Sequence, residues 1–216
     1  MIVLGLTGSI AMGKSRAGAM FRAFGVPVFD ADAEVHQLFA AGGAAVGPVA
    51  GAFPGSLGSD GGIDRGRLGQ LVLGRADELR RLERIVHPLV RQAEGGFLRR
   101  ACRAGSELVV LDVPLLLETG GQERVDAVAV VWANPMLQMQ RALRRPGMTV
   151  RKLAQVRAAQ LPDQEKRKRA DFLIPSGYDR GATARNIRAV IEAASKLRPR
   201  AWPDRWATRA LSHAGR

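Results

Sequence analysis

The chain has 216 residues, 46% apolar and 25% charged, enough for one domain of ordinary size with a sizeable core, and its composition favours helices packed on a sheet over an all-β fold. Cys102 is the only cysteine, which excludes an internal disulfide and a multi-cysteine zinc site. A net charge of +13 points to an anionic partner, but the excess is spread along the chain without aromatic interleaving.

Residues 2–6, "IVLGL", form a β-branched apolar run that predicts a buried parallel strand ending at Thr7-Gly8. From Gly13, Ala17, Met20, Phe21 and Phe24 recur at helical spacing until Gly25. A second short strand is expected at 26–29, followed by a helix from about Asp32. Strand, glycine-rich turn, helix, strand and helix in this order predict a parallel sheet with helical crossovers.

Residues 41–63 are rich in Gly, Ala and Pro, with 54–62 expected as loop. From Ile63 to Gly105 the pattern is helical, with Pro88 expected as a break or a helix start. That length exceeds an ordinary crossover, so it reads as a helical insertion forming one wall of a cleft. Core strands are expected at 107–116 and 127–133, a helix from Pro135, a break at 146–149 and a charged helical hairpin after it. "DFLIP" supplies a last strand and 181–197 a closing helix, while 198–216 reads as a basic extension without clean periodicity.

Gly8, Gly13, Lys14 and Ser15 spell G-x-x-x-x-G-K-S between a strand and a helix, the context a phosphate loop requires. Glycines at both ends let backbone N–H groups curl around an anion, and the helix N-terminus adds its dipole. In this role Lys14 reaches the β- and γ-phosphates and the Ser15 hydroxyl holds Mg²⁺. Only five of the 33 basic residues are Lys, so a compact ammonium at 14 stands out in an Arg-dominated chain. The loop implies a nucleoside triphosphate without separating hydrolase, switch and kinase.

Asp30 and Asp32 fall at the C-terminal end of the second strand, where open parallel sheets bind ligands. Carboxylates there ligate a metal through water or accept the proton of an attacking hydroxyl, and Asp32 is also placed to cap the next helix. Asp112 closes the run "ELVVLD" in the position of an acid that helps hold Mg²⁺; a strand-end turn residue is its simpler role. Arg141 and Arg145, one turn apart, suit either a phosphoryl-contacting lid or a solvated helix face. His87 and Arg91 in "HPLVR" are spaced to share a helix face.

Taken together, "GLTGSIAMGKS", "VFDADAEVHQLF", "IDRGRLGQLVL", "IVHPLVR", "LDVPLLLETG", "RALRRPGMT" and "QLPDQEKRKRADFLI" resemble, in order, segments of dephospho-coenzyme A kinases over about residues 2–195. The resemblance implies a P-loop kinase-like α/β fold over 1–197, a parallel β-sheet flanked by helices with a helical substrate-binding insertion near 31–105 and a helical lid near 141–170. It implies transfer of the γ-phosphoryl of ATP, with Mg²⁺, to the ribose 3′-hydroxyl of dephospho-coenzyme A, the last step of coenzyme A synthesis.

By the same resemblance Gly8, Ala11, Met12, Gly13, Lys14, Ser15 and Arg16 contact ATP together with Arg141 and Arg145 of the lid. Asp32 activates the ribose hydroxyl with Asp30 assisting, His87, Arg91 and Asp112 serve the acceptor, Ser15 and Asp112 hold the metal, and Lys166, Arg167 and Arg169 follow the lid. Three positions depart from the family pattern: Arg16 replaces a small hydroxyl residue, Pro146 an acid after the lid arginine, and Pro175 stands in place of the Asp-Asn on the adenine side.

Two polyphosphorylated substrates account for the positive charge without a specific nucleic acid. A kinase for another hydroxyl substrate, a nucleic-acid-stimulated ATPase and a nucleotide-binding module without transfer are the competing readings. No apolar stretch approaches the roughly 20 residues of a membrane span, and a cytoplasmic monomer or small homo-oligomer is expected.

Overall fold

The computed structural model describes residues 1–177 and 179–207. Two compact units divide the chain, one made of Met1–Asp30 with the chain from Leu98 onward, the other of Ala31–Phe97.

The first unit is built on five parallel strands: β1 (Ile2–Thr7), β2 (Val28–Asp30), β3 (Leu108–Asp112), β4 (Ala127–Trp132) and β5 (Phe172–Pro175), in spatial order β2-β3-β1-β4-β5. Every residue of β1 and β3 is buried, which is why both read as unbroken apolar runs and not as alternating ones. Gly5 leaves room for a neighbour, since a Cβ there would lie 2.5 Å from Leu116 Cδ2. Helix α1 (Lys14–Ala23) buries Phe21 against Leu4, Leu6 and Val110, and helix α9 (Arg180–Ser195) adds Ile187 and Val190 to the same core. Each such side chain taken from water contributes about 1.5–3 kcal/mol.

Strand β2 starts two residues later than the sequence suggests. Val26 N–H is spent on Phe21 O, closing the end of α1, and the first ladder contact comes at Pro27, whose carbonyl accepts Val110 N–H at 2.9 Å. Beyond β4, Asn134 caps helix α6 (Pro135–Leu143) with Pro135 in its first turn. Thr149 caps α7 (Val150–Ala158), and α8 (Asp163–Lys168) completes the charged hairpin. Part of the expected extension is ordered onto this unit. Asp126 Oδ2 accepts Val3 N–H at 2.8 Å while its Oδ1 accepts Ala201 N–H at 2.8 Å, and Trp206 Nε1 donates to Arg124 O at 3.0 Å, beside helix α10 (Asp204–Ala207). Residues 208–216 lie outside the described residues.

The second unit holds α2 (Ala31–Phe39), α3 (Val46–Ala52), α4 (Arg65–Val72) and most of α5 (Ala76–Arg103). Its core is Leu38, Phe39, Val49, Phe53, Leu68, Val72 and Val86. Asp64 caps α4 by accepting from Gly66 and Arg67 N–H at 2.8 and 3.0 Å. Pro88 neither breaks nor starts a helix: it lies inside the 28-residue α5, where amphipathic packing on both sides overrides a local cost of about 3 kcal/mol.

Candidate active site

The phosphate loop Gly8–Ser15 links β1 to α1 in a conformation few sequences tolerate. Gly13 sits at φ 93° and Ala11 at φ 61°, both left-handed. At Gly8 a Cβ would stand 2.6 Å from Val131 O, so only glycine lets the loop graze the end of β4.

Contacts from outside the loop fix its shape. Gln138 Nε2 donates to Ile10 O at 2.9 Å, and Ile10 N–H donates to Gln160 Oε1 at 3.1 Å. The Met12 sulfur accepts Ala133 N–H at 3.1 Å, and the Ser176 hydroxyl donates to Met12 O. Arg141 completes this wall, donating to Ser176 Oγ at 3.0 Å and Gly177 O at 2.9 Å. Gln138 and Ser176 carry no periodic or motif signal, and Gln160 only opens the family-like segment "QLPDQEKRKRADFLI" with no role assigned to it.

Lys14 opens α1 and places its ammonium 2.6 Å from Asp112 Oδ1. The lysine side chain is 13% exposed and the aspartate 2%, so the pair is largely shielded from water. Asp112, the last residue of β3, is thereby paired with the lysine of the phosphate loop. The strand register sets Asp30 of β2 directly beside Asp112 of β3, placing two carboxylate-bearing residues on neighbouring strands at the carboxyl edge of the sheet. Exposed Ser15 follows Lys14 in the first turn of α1, and Arg16 beside it is exposed as well.

One lid expectation changes. Helix α6 ends at Leu143, so Arg145 does not share a helix face with Arg141. It is exposed in the turn that follows, because Pro146 disfavours helical backbone at the residue before it. Pro175 ends edge strand β5, where a missing N–H is tolerated, and its carbonyl accepts the Thr183 hydroxyl at 3.3 Å.

In the second unit, Asp32 is exposed in the first turn of α2, not at its cap, since the helix already begins at Ala31. His36, one turn on, stands against the Arg65 guanidinium, which lies 3.2 Å from its Nδ1. His87 and Arg91 are exposed one turn apart on α5.

Burial pushes the Asp163 carboxyl upward against the opposing pull of Arg167, Lys166, the Ser9 hydroxyl and Arg157. No group of three or more His, Cys, Asp or Glu side chains among the described residues forms a metal cage. A single carboxylate with a hydroxyl fits Mg²⁺, which takes its remaining ligands from phosphates and water.

A parallel sheet whose first strand runs into a glycine-bounded loop, a lysine and a helix defines a P-loop kinase-like nucleotide-binding protein. The profile of the dephospho-CoA kinase family matches residues 2–178. The dephospho-CoA kinase of Mesorhizobium japonicum is 52% identical over 192 residues, covering 89% of this chain and 96% of the relative. That of Rhodopseudomonas palustris HaA2 is 47% identical over 203 residues, covering 94% and 100%. The crystal structure of TT1252 from Thermus thermophilus superposes with a TM-score of 0.77 at 30% identity, covering 89% of this chain and 96% of that one. The chain belongs to the dephospho-CoA kinase family.

Proposed function

We propose that the protein transfers the γ-phosphoryl of ATP to the ribose 3′-hydroxyl of dephospho-coenzyme A. The observation that carries this reading is the shielded Lys14–Asp112 pair at the mouth of a pre-shaped phosphate loop, beside Asp30 on the next strand. Family membership supplies the acceptor.

The backbone N–H groups of the loop and the N-terminus of α1 cradle the β- and γ-phosphates. Lys14 shares its charge with them, neutralising negative charge that shifts toward the leaving oxygen. Ser15 and Asp112 would hold Mg²⁺, which supplies further charge neutralisation when bound. Asp32 accepts the proton of the 3′-hydroxyl as the bond from that oxygen to Pγ forms and the bond from Pγ to the β-phosphate oxygen breaks, releasing ADP. Asp30 assists at the sheet edge. Arg141 already faces the loop through Ser176, and Arg145 from the exposed turn adds a second guanidinium to the transferring group. Exposed His87 and Arg91 on α5 serve the acceptor, with the guanidinium suited to its diphosphate.

Purified protein with ATP, Mg²⁺ and dephospho-coenzyme A should yield a product heavier by one phosphate. Transfer to a nucleoside in its place would overturn the assignment. Asp32→Asn should lower kcat about 10²- to 10⁴-fold with the KM for ATP little changed, and full turnover in that variant would remove Asp32 as the base. We further place the activity in the cytoplasm, on Cys102 as the single cysteine, with the chain acting as a monomer or small homo-oligomer.

A further inference from the structure

The first lysine of "EKRKR" is not on the protein surface. Lys166 is fully buried, and its ammonium lies 2.7 Å from Glu118 Oε1. The same oxygen accepts Leu161 N–H at 3.1 Å, which ties the segment between α7 and α8 to the loop after β3. That tied segment carries Gln160, whose Oε1 accepts Ile10 N–H, and Asp163, which faces the Ser9 hydroxyl. Arg167, next in sequence, lies over the Trp132 ring with its guanidinium carbon 4.4 Å from the centroid, fixing the other side of α8 to the end of β4.

The pair is poorly suited to a purely stabilising role. Among the described residues, Lys166 Nζ makes no well-directed hydrogen bond, and the buried Glu118 Oε2 and Asp163 Oδ1 have no hydrogen-bond partner. A buried ion pair with such unmet capacity gives little net stability, and an apolar pair of equal volume would serve packing better. What the pair does hold is position: it pins the segment that supplies the acceptor for Ile10 N–H and the carboxylate opposite Ser9, at the turn of the phosphate loop next to the left-handed Ala11.

We propose that Lys166 is a positioning residue for ATP, acting through Glu118 and Gln160 to hold the Ser9–Ile10 turn of the phosphate loop in its binding conformation. This rests on the kinase reading of the same loop. Losing the strut frees Gln160, and the loop must then be ordered by the nucleotide itself, so ATP binding weakens while transfer from bound ATP continues.

The test compares wild type with Lys166→Met/Glu118→Leu, which removes both charges and the acceptor for Leu161 N–H, and with Gln160→Met, which removes only the acceptor for Ile10. In both variants the KM for ATP should rise about three- to tenfold, the range for one lost backbone hydrogen bond, with kcat and the KM for dephospho-coenzyme A within about twofold of wild type. A purely structural role would lower the melting temperature and leave the KM for ATP in place. An unchanged KM for ATP in Gln160→Met overturns the proposal even where the double variant does not fold. Absence of transfer by the wild-type protein would instead overturn the kinase reading, so the two failures are told apart.

Discussion

At Gly13 the backbone holds a φ of 93°, and a Cβ there would meet Ser176 Oγ at 2.8 Å. Gly13→Ala therefore combines left-handed strain with a clash against the hydroxyl that anchors Met12, together costing about 1–3 kcal/mol. Because the strain falls in the loop, the expected result is a rise in the Kd for ATP of about tenfold or more along with a lower melting temperature. An ATP affinity equal to wild type would show that the loop adapts. Residues of this kind are legible in sequence because a backbone requirement narrows the choice to glycine. The same holds for Lys14, which the strand-loop-helix context identifies, and for Asp112, which ends an apolar run. The loop contacts of Gln138, Gln160 and Ser176 were not legible, because an amide or hydroxyl that bonds to backbone leaves no mark on spacing or periodicity. Lys166 was legible only as part of the basic family segment that follows the lid, since nothing local to it announces a buried partner 48 positions away.

Among elements, α8 carries a site-adjacent carboxyl, Asp163, whose burial pushes its titration upward. A raised pKa means that the fold favours protonated Asp163. Its contribution to stability is then fully present below the ordinary carboxylate range and is lost as pH rises through the folded value. Asp163→Asn cannot titrate, so its melting temperature should gain on wild type between about pH 4 and pH 7. Melting curves that stay parallel across that window would count against the assignment. Elements whose ends are set by local chemistry were predicted closely: Pro135 starts α6, with Asn134 as its cap. Those set by tertiary packing were not. Pro88 reads as a break in any window of sequence, yet α5 continues through it because Val86 is buried in one unit and Leu98 in the other. The turn at Arg145 shows the opposite outcome, with proline chemistry prevailing where α6 has little more to bury.

Over the whole molecule, the excess of basic residues sets a long-range field that favours polyphosphate ligands. The KM values for ATP and dephospho-coenzyme A should both rise as salt increases from about 0.05 to 0.5 M, as screening shortens from roughly 14 to 4 Å. Duplex DNA should leave turnover unchanged; stimulation by DNA would revive the nucleic-acid reading. The alternation of strands and helices made the parallel sheet legible, whereas the ordered part of the C-terminal segment was not, because its anchors are backbone groups of distant residues. There, Asp126 receives N–H groups from the first strand and from Ala201 on the two oxygens of one carboxylate. Release of Val3 and release of Ala201 from this carboxylate are thus linked events. The carboxylate closes the polypeptide into a ring without a covalent bond, and amide protection at Val3 and Ala201 is thermodynamically coupled.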